Sequence, residues 1–122
     1  MMTNCLIVAA GGALGSVLRY LITLIPAGSS AAIPYKTYFI NFTGALVAGI
    51  FLALISKHPD LDPRLYAFLR VGVIGGYTTF ATCFTESYGF MKGGSAAFGI
   101  AYAALSVISA YAGIYAADML IK

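Results

Sequence analysis

GVIGGYTTF, residues 72–80, lies in the middle of an apolar run that extends over residues 65–91. By length that run is a membrane span, since crossing the hydrocarbon takes about 20 apolar residues. Its centre is nevertheless poor helix material. Gly75 and Gly76 are adjacent, and two β-branched residues, Thr78 and Thr79, follow. Glycine costs about 1 kcal/mol against alanine inside a helix, and β-branching restricts the side chain further. The stretch predicts a helix broken at mid-membrane. A break frees backbone groups, and each costs several kcal/mol in lipid if left unpaired. It persists where the backbone lines a cavity or binds something. Freed carbonyls suit a hard monovalent cation such as Na⁺; freed amides at the restarting helix suit an anion. A plain glycine kink, re-satisfied by threonine hydroxyls, stays open as the alternative.

The rest of the chain agrees with a lipid solvent. Of its 122 residues, 61% are apolar and 9% charged, and the mean hydropathy is +0.91. Soluble chains carry about 25% charged and 45–50% apolar residues. So few charges cannot coat a soluble domain of this size, which exposes roughly 40% of its unfolded area. Four apolar stretches follow from the sequence, at 4–25, 37–56, 65–91 and 95–121. PAGSSAAIPYK, KHPDLDP and KGG connect them. The expectation is one all-α domain over 1–122 with both termini on one side. The first ten residues, MMTNCLIVAA, lack a basic leader and read as part of the first helix.

The seven basic residues form no run, so nucleic acid is not an expected partner. Cys5 and Cys83 have no metal-ligand spacing, and His58 is the one histidine, which supports neither zinc nor a disulfide. Lys57, Arg64, Arg70 and Lys122 fall on the side of the termini; Arg19, Lys36 and Lys92 fall on the other. Orientation follows the excess of cytoplasmic Lys and Arg, and here the excess nearly vanishes. One orientation winning narrowly and copies inserting both ways are both compatible with it. Gly11 and Gly15, Ala45 and Gly49, and Gly72 and Gly76 offer close-packing spacings. They serve packing within one copy, between copies, or both.

Three motifs resemble the small bacterial fluoride channel family (Fluc, also called CrcB). They are GGALGSVLRY at 11–20, TYFINFTGALVAG at 37–49 and GVIGGYTTFATCFTE at 72–86. The resemblance implies an antiparallel, dual-topology homodimer with two fluoride pathways. It also implies a structural Na⁺ at the dimer centre, held by the carbonyls of Gly75 and Thr78. A multi-pass protein of a microbial inner membrane is the implied setting.

An anion path must replace water with donors without trapping the ion. Asn41, in the uncharged second span, offers two amide protons. It matches the family's Val-Asn motif as Ile40-Asn41, and an interhelical hydrogen bond is its other use. Phe80 matches the first of two pore phenylalanines, whose ring edges are positive. The second falls on Cys83, a departure that predicts an altered ion site; Phe84 follows it. Thr79 and Thr82 flank the ring and either face an anion or bond back to their helix. Tyr102, Ser106 and Ser109 make a polar stripe on the fourth span, like the family's polar track, or else pack helices. Arg19 resembles the family's vestibule arginine and would attract anions, or pair with Glu86 or a headgroup. Glu86 is assigned to the vestibule rim or a structural pair. Lys36 reads as solvated.

The sequence shows no catalytic constellation, nucleotide loop or coupling carboxylate, so no enzyme is expected. The expectation is passive fluoride export. A proton-coupled small multidrug exporter is the alternative, but it needs a carboxylate in the first helix, which has none. A non-transporting assembly subunit is the third, and it leaves the break without a reason.

Overall fold

The computed structural model describes residues 1–26 and 34–121; the middle of the first connector and Lys122 lie outside the described residues. Every regular element among the described residues is helical. In order they are α1 (Met2–Thr23), α2 (Tyr35–Lys57), α3 (Pro63–Tyr66), a π-helix (Ala67–Ile74), α4 (Gly75–Tyr77), α5 (Phe80–Lys92) and α6 (Ala96–Ile121). α3 through α5 form one composite span. Four helices are therefore long and apolar enough to cross a membrane: Met2–Thr23, Tyr35–Lys57, Pro63–Lys92 and Ala96–Ile121.

Local chemistry sets the ends. Asp62 caps α3 by accepting the Arg64 amide at 2.8 Å, and Pro63 opens the helix where its missing N–H is not needed. Gly94, at φ +92°, supplies the left-handed residue that turns the chain from α5 into α6.

Helix association relies on close backbone approach, since lipid offers no hydrophobic drive between helices. α1 packs on the π-helix and α4, and both α2 and α5 pack on α6. At the first interface Gly11 and Gly72 face each other. A Cβ on Gly72 would lie 2.8 Å from the Gly11 Cα, and one on Gly11 would lie 2.5 Å from the Phe68 carbonyl oxygen. The glycine spacings of α1 and the third span are thus used within one copy. Gly44 does the same for the break, because a Cβ there would lie 2.3 Å from the Thr78 methyl group. Hydroxyls add ties: Ser87 donates to the Gly99 carbonyl at 2.7 Å, and Thr43 and Tyr77 share a hydrogen bond of 2.8 Å.

α2 is tied at both ends. Lys36 Nζ donates to the Thr23 carbonyl at 2.7 Å, at the end of α1. Lys57 Nζ donates to the Ile121 carbonyl at the end of α6. A cation at a helix C-terminus satisfies orphan carbonyls and meets the negative end of the dipole. Lys36 is therefore engaged, not merely solvated as its sequence position suggests.

The third span is interrupted, but not at its glycines. Gly75 and Gly76 are helical, and the chain becomes extended at Thr78 (φ −79°, ψ 156°) and Thr79 (φ −145°, ψ 107°). Propensity marks the glycines and the threonines alike; tertiary contact decides between them. Gly76 must stay helical to approach α1, where a Cβ would lie 2.7 Å from the Gly12 carbonyl. The threonines instead find partners on α2. The π-helix before the break has no counterpart in the sequence expectation.

Candidate functional site

The interruption is held by one side chain. Asn41 Nδ2 donates to the Thr79 carbonyl at 2.8 Å, and the Thr79 amide donates to Asn41 Oδ1 at 2.8 Å. The carboxamide thus pairs with Thr79 as a neighbouring β-strand would, and this keeps the residue extended in the absence of a sheet. One Nδ2 proton remains for another acceptor.

The pairing diverts helix bonds. In an unbroken helix the Thr79 amide would close on the Gly75 carbonyl, and the Thr82 amide on the Thr78 carbonyl. Thr79 N–H instead goes to Asn41, and Thr82 N–H goes to Thr79 Oγ1 at 3.3 Å. Gly75 and Thr78 each lose their i+4 donor. Thr79 is the N-cap of α5, and its hydroxyl proton goes to Thr82 Oγ1 at 2.9 Å. Thr82 keeps its own hydroxyl proton for another acceptor.

Two cavities flank this pairing. The larger, about 290 Å³, is lined by Asn41, Thr78, Phe80, Cys83, Ser106 and Arg70 among others. The second, about 230 Å³, is lined by Arg19, Thr37, Thr79 and Thr82 among others. The expected polar residues therefore fall on both sides of the Asn41–Thr79 pair. Asn41 offers its spare donor from the wall of one, and Thr82 from the wall of the other.

The aromatic departure resolves into a definite geometry. Phe80 is 75% exposed, and Phe84 stacks on it with ring centroids 4.3 Å apart and planes at 29°. Residues four apart share a helix face, so Phe84 is the ring that stands beside Phe80 in this structure. Cys83 is 3% exposed. Its thiol lies beside the Tyr102 hydroxyl.

Glu86 forms a separate cluster. Thr37 Oγ1 donates to its Oε1 at 2.6 Å, and the Tyr102 hydroxyl donates to its Oε2 at 3.1 Å. Among the described residues no ion pair joins it to Arg19. Ser106 bonds back to the Tyr102 carbonyl at 2.8 Å, and Ser109 shares a hydrogen bond with Tyr38. The stripe of Tyr102, Ser106 and Ser109 is thus largely committed to protein partners.

Residues 6–117 match the family described as "CrcB-like protein, Camphor Resistance (CrcB)". The chain belongs to the CrcB family. Three similar CrcB-type relatives each carry the name fluoride-specific ion channel FluC. That of Rhizobium meliloti is 37% identical over 118 residues, covering 93% of this chain and 94% of the relative. That of Chlorobaculum tepidum is 34% identical over 122 residues, covering 100% and 97%. That of Thermus thermophilus is 40% identical over 103 residues, covering 84% and 82%.

Within this CrcB-family chain, sequence reasoning passes over Thr37, Tyr38 and Arg70 as site residues. Thr37 carried a usable signal, since it stands four before Asn41 on the uncharged span and shares its face. Tyr38 stands next to it, and only the register of α2 against α6 reveals its partner.

Proposed function

We propose that this chain forms a fluoride-selective channel that lets fluoride leave the cytoplasm passively across the inner membrane. The observation that carries the proposal is the Asn41–Thr79 pair, an unwound segment at mid-span with spare neutral donors facing cavities on both sides. The CrcB family, with relatives named as fluoride channels, supplies the ion. Neutral HF enters a cell from acidic surroundings and dissociates inside. An inside-negative potential then drives the anion outward, worth about 2.3 kcal/mol per charge per 100 mV.

Each protein group has a defined task. Fluoride is small and strongly hydrated, so donors must replace its water. Asn41 gives its second amide proton and Thr82 its hydroxyl proton. The stacked Phe80 and Phe84 present ring edges, which favour an anion weakly enough for release. Arg19 draws anions toward its cavity. The Glu86 carboxylate is held away from the ion by the Thr37 and Tyr102 hydroxyls.

The functional unit of the proposal is an antiparallel homodimer with both insertion orientations. Near-balanced loop charge and the exposed face bearing Phe80 support it. The carbonyls of Gly75 and Thr78, each short of its helical donor, have the chemistry to hold a structural Na⁺ where two third spans meet. Bound there, the cation would draw carbonyl dipoles of opposed copies together.

Fluoride efflux from liposomes holding the purified chain tests the proposal. Efflux without a proton gradient, with chloride excluded, is the expected result. Proton-dependent uptake of an organic cation would favour an exporter instead, and no flux at all a packing subunit.

A further inference from the structure

The three lysines in the described residues are accounted for by local partners. Lys36 and Lys57 cap the ends of α1 and α6. Lys92 lies over the Tyr88 ring, 5.9 Å from its centroid. The two arginines set inside spans are different. Arg19 and Arg70 each line one of the two cavities that flank the Asn41–Thr79 pair. Arg70 is exposed, and no hydrogen bond or ion pair engages it among the described residues.

Its position is costly without water. Arg70 lies seven residues beyond Pro63, where the third span starts, so roughly 10 Å along the helix axis. A charge at that depth faces a wet cavity or a partner. The π-helix Ala67–Ile74 carries it, and such wide turns recur at functional sites. The cavity beside it holds Asn41, Phe80 and Ser106. These are a neutral donor, an exposed ring and a hydroxyl, with no carboxylate among the lining residues.

We propose that Arg70 is the anion-collecting residue at the mouth of this cavity on the side of the termini. It is the counterpart of Arg19 on the other side of the break. The proposal rests on the channel reading and extends it, giving the ion a cation at each end of its route. A guanidinium keeps its charge at any working pH and is more weakly hydrated than an ammonium. Exposed to water, it raises the local anion concentration without a deep well. It therefore sets the fluoride concentration at which flux saturates, not the choice between fluoride and chloride.

The test measures fluoride current or efflux against fluoride concentration for the full chain in liposomes. The variants are Arg70→Gln, Arg70→Lys and Arg70→Met. Arg70→Gln is expected to raise the half-saturating fluoride concentration up to about tenfold. Its maximal flux and fluoride-over-chloride selectivity stay unchanged. Arg70→Lys stays within about twofold of the parent, because it keeps the charge that does the collecting. Inert salt, which screens exposed charges, raises half-saturation more for the parent than for Arg70→Gln, which keeps only Arg19. Arg70→Met gives the same comparison should the glutamine variant not fold. A conducting parent whose glutamine and methionine variants saturate at the same fluoride concentration overturns the assignment and leaves the channel reading standing. Loss of dependence on anionic lipid in those variants, with saturation unchanged, also overturns it and makes Arg70 a headgroup ligand. A parent that passes no fluoride removes the channel reading and this one together.

Discussion

Asn41 and Thr79 exchange two hydrogen bonds of 2.8 Å between a side-chain amide and a backbone peptide unit. One residue of α2 thereby holds the third span open, and it does so with both polar atoms of its carboxamide. Asn41→Leu is expected to leave the part-buried Thr79 N–H and C=O unpaired, at up to about 1–3 kcal/mol for each group. Asn41→Asp keeps the bond from the Thr79 N–H but sets a carboxylate oxygen against the Thr79 carbonyl inside the span, so it too should be destabilised. Thermal unfolding in detergent should place the parent above both variants, with fluoride flux lost in the leucine variant. Equal melting of all three would show that the break stands without its clamp.

Phe84 and Cys83 make a second test. The stack on Phe80 contributes about 0.5–1.5 kcal/mol beyond burial, and it aligns the exposed ring. Phe84→Ala should lower fluoride flux. Cys83→Phe should not improve it, because position 83 is 3% exposed, and overpacking a filled site costs about 1–3 kcal/mol. Brisk flux from Phe84→Ala together with a gain from Cys83→Phe would reverse the assignment of the second ring.

Glu86 depends on two hydroxyls from different helices. Tyr102→Phe or Thr37→Val should each destabilise by up to about 1–3 kcal/mol, since each bond to Glu86 is part-buried. Because both act on one carboxylate, their effects should not add. A double-mutant cycle read by thermal unfolding checks this, and strict additivity would mean that the two hydroxyls act separately.

Three glycines of α1 separate packing from propensity. Gly11→Ala and Gly15→Ala would place a Cβ 2.5 Å and 2.2 Å from carbonyl oxygens of the third span, whereas Gly12→Ala meets nothing within 4 Å. The first two should cost at least about 1–3 kcal/mol. The third should be neutral or up to about 1 kcal/mol stabilising, since alanine is the better helix former. Urea or thermal unfolding of the three variants in detergent gives the comparison. Three similar results would remove close α1 approach as the reason for these glycines.

Much of the fold was legible because lipid imposes a coarse code. Length and hydropathy alone mark four crossings, and no charge competes with them in the second. The interruption was legible as a region and not as a residue. Local propensity marks Gly75 and Gly76 together with Thr78 and Thr79, while the observed extension at the two threonines depends on a carboxamide 38 residues earlier in the chain. The same limit applies to Glu86. Its sequence neighbours say only that a carboxylate sits in a span; its partners Thr37 and Tyr102 come from two other helices. Phe84 was in view, but its role needed the ring geometry, since a heptad-like count cannot say which of two adjacent residues faces the open side.

The lysines at the two ends of α2 carry a consequence for biogenesis. Each folds onto the last carbonyls of a neighbour, one near each membrane face. While the chain is being inserted, these ammonium groups act as opposing votes on which way it should thread. After folding they are latches, and turning the whole protomer over exchanges their compartments without undoing either one. Both latches are bonds within the protomer, so neither of them depends on which face of the bilayer it lies at.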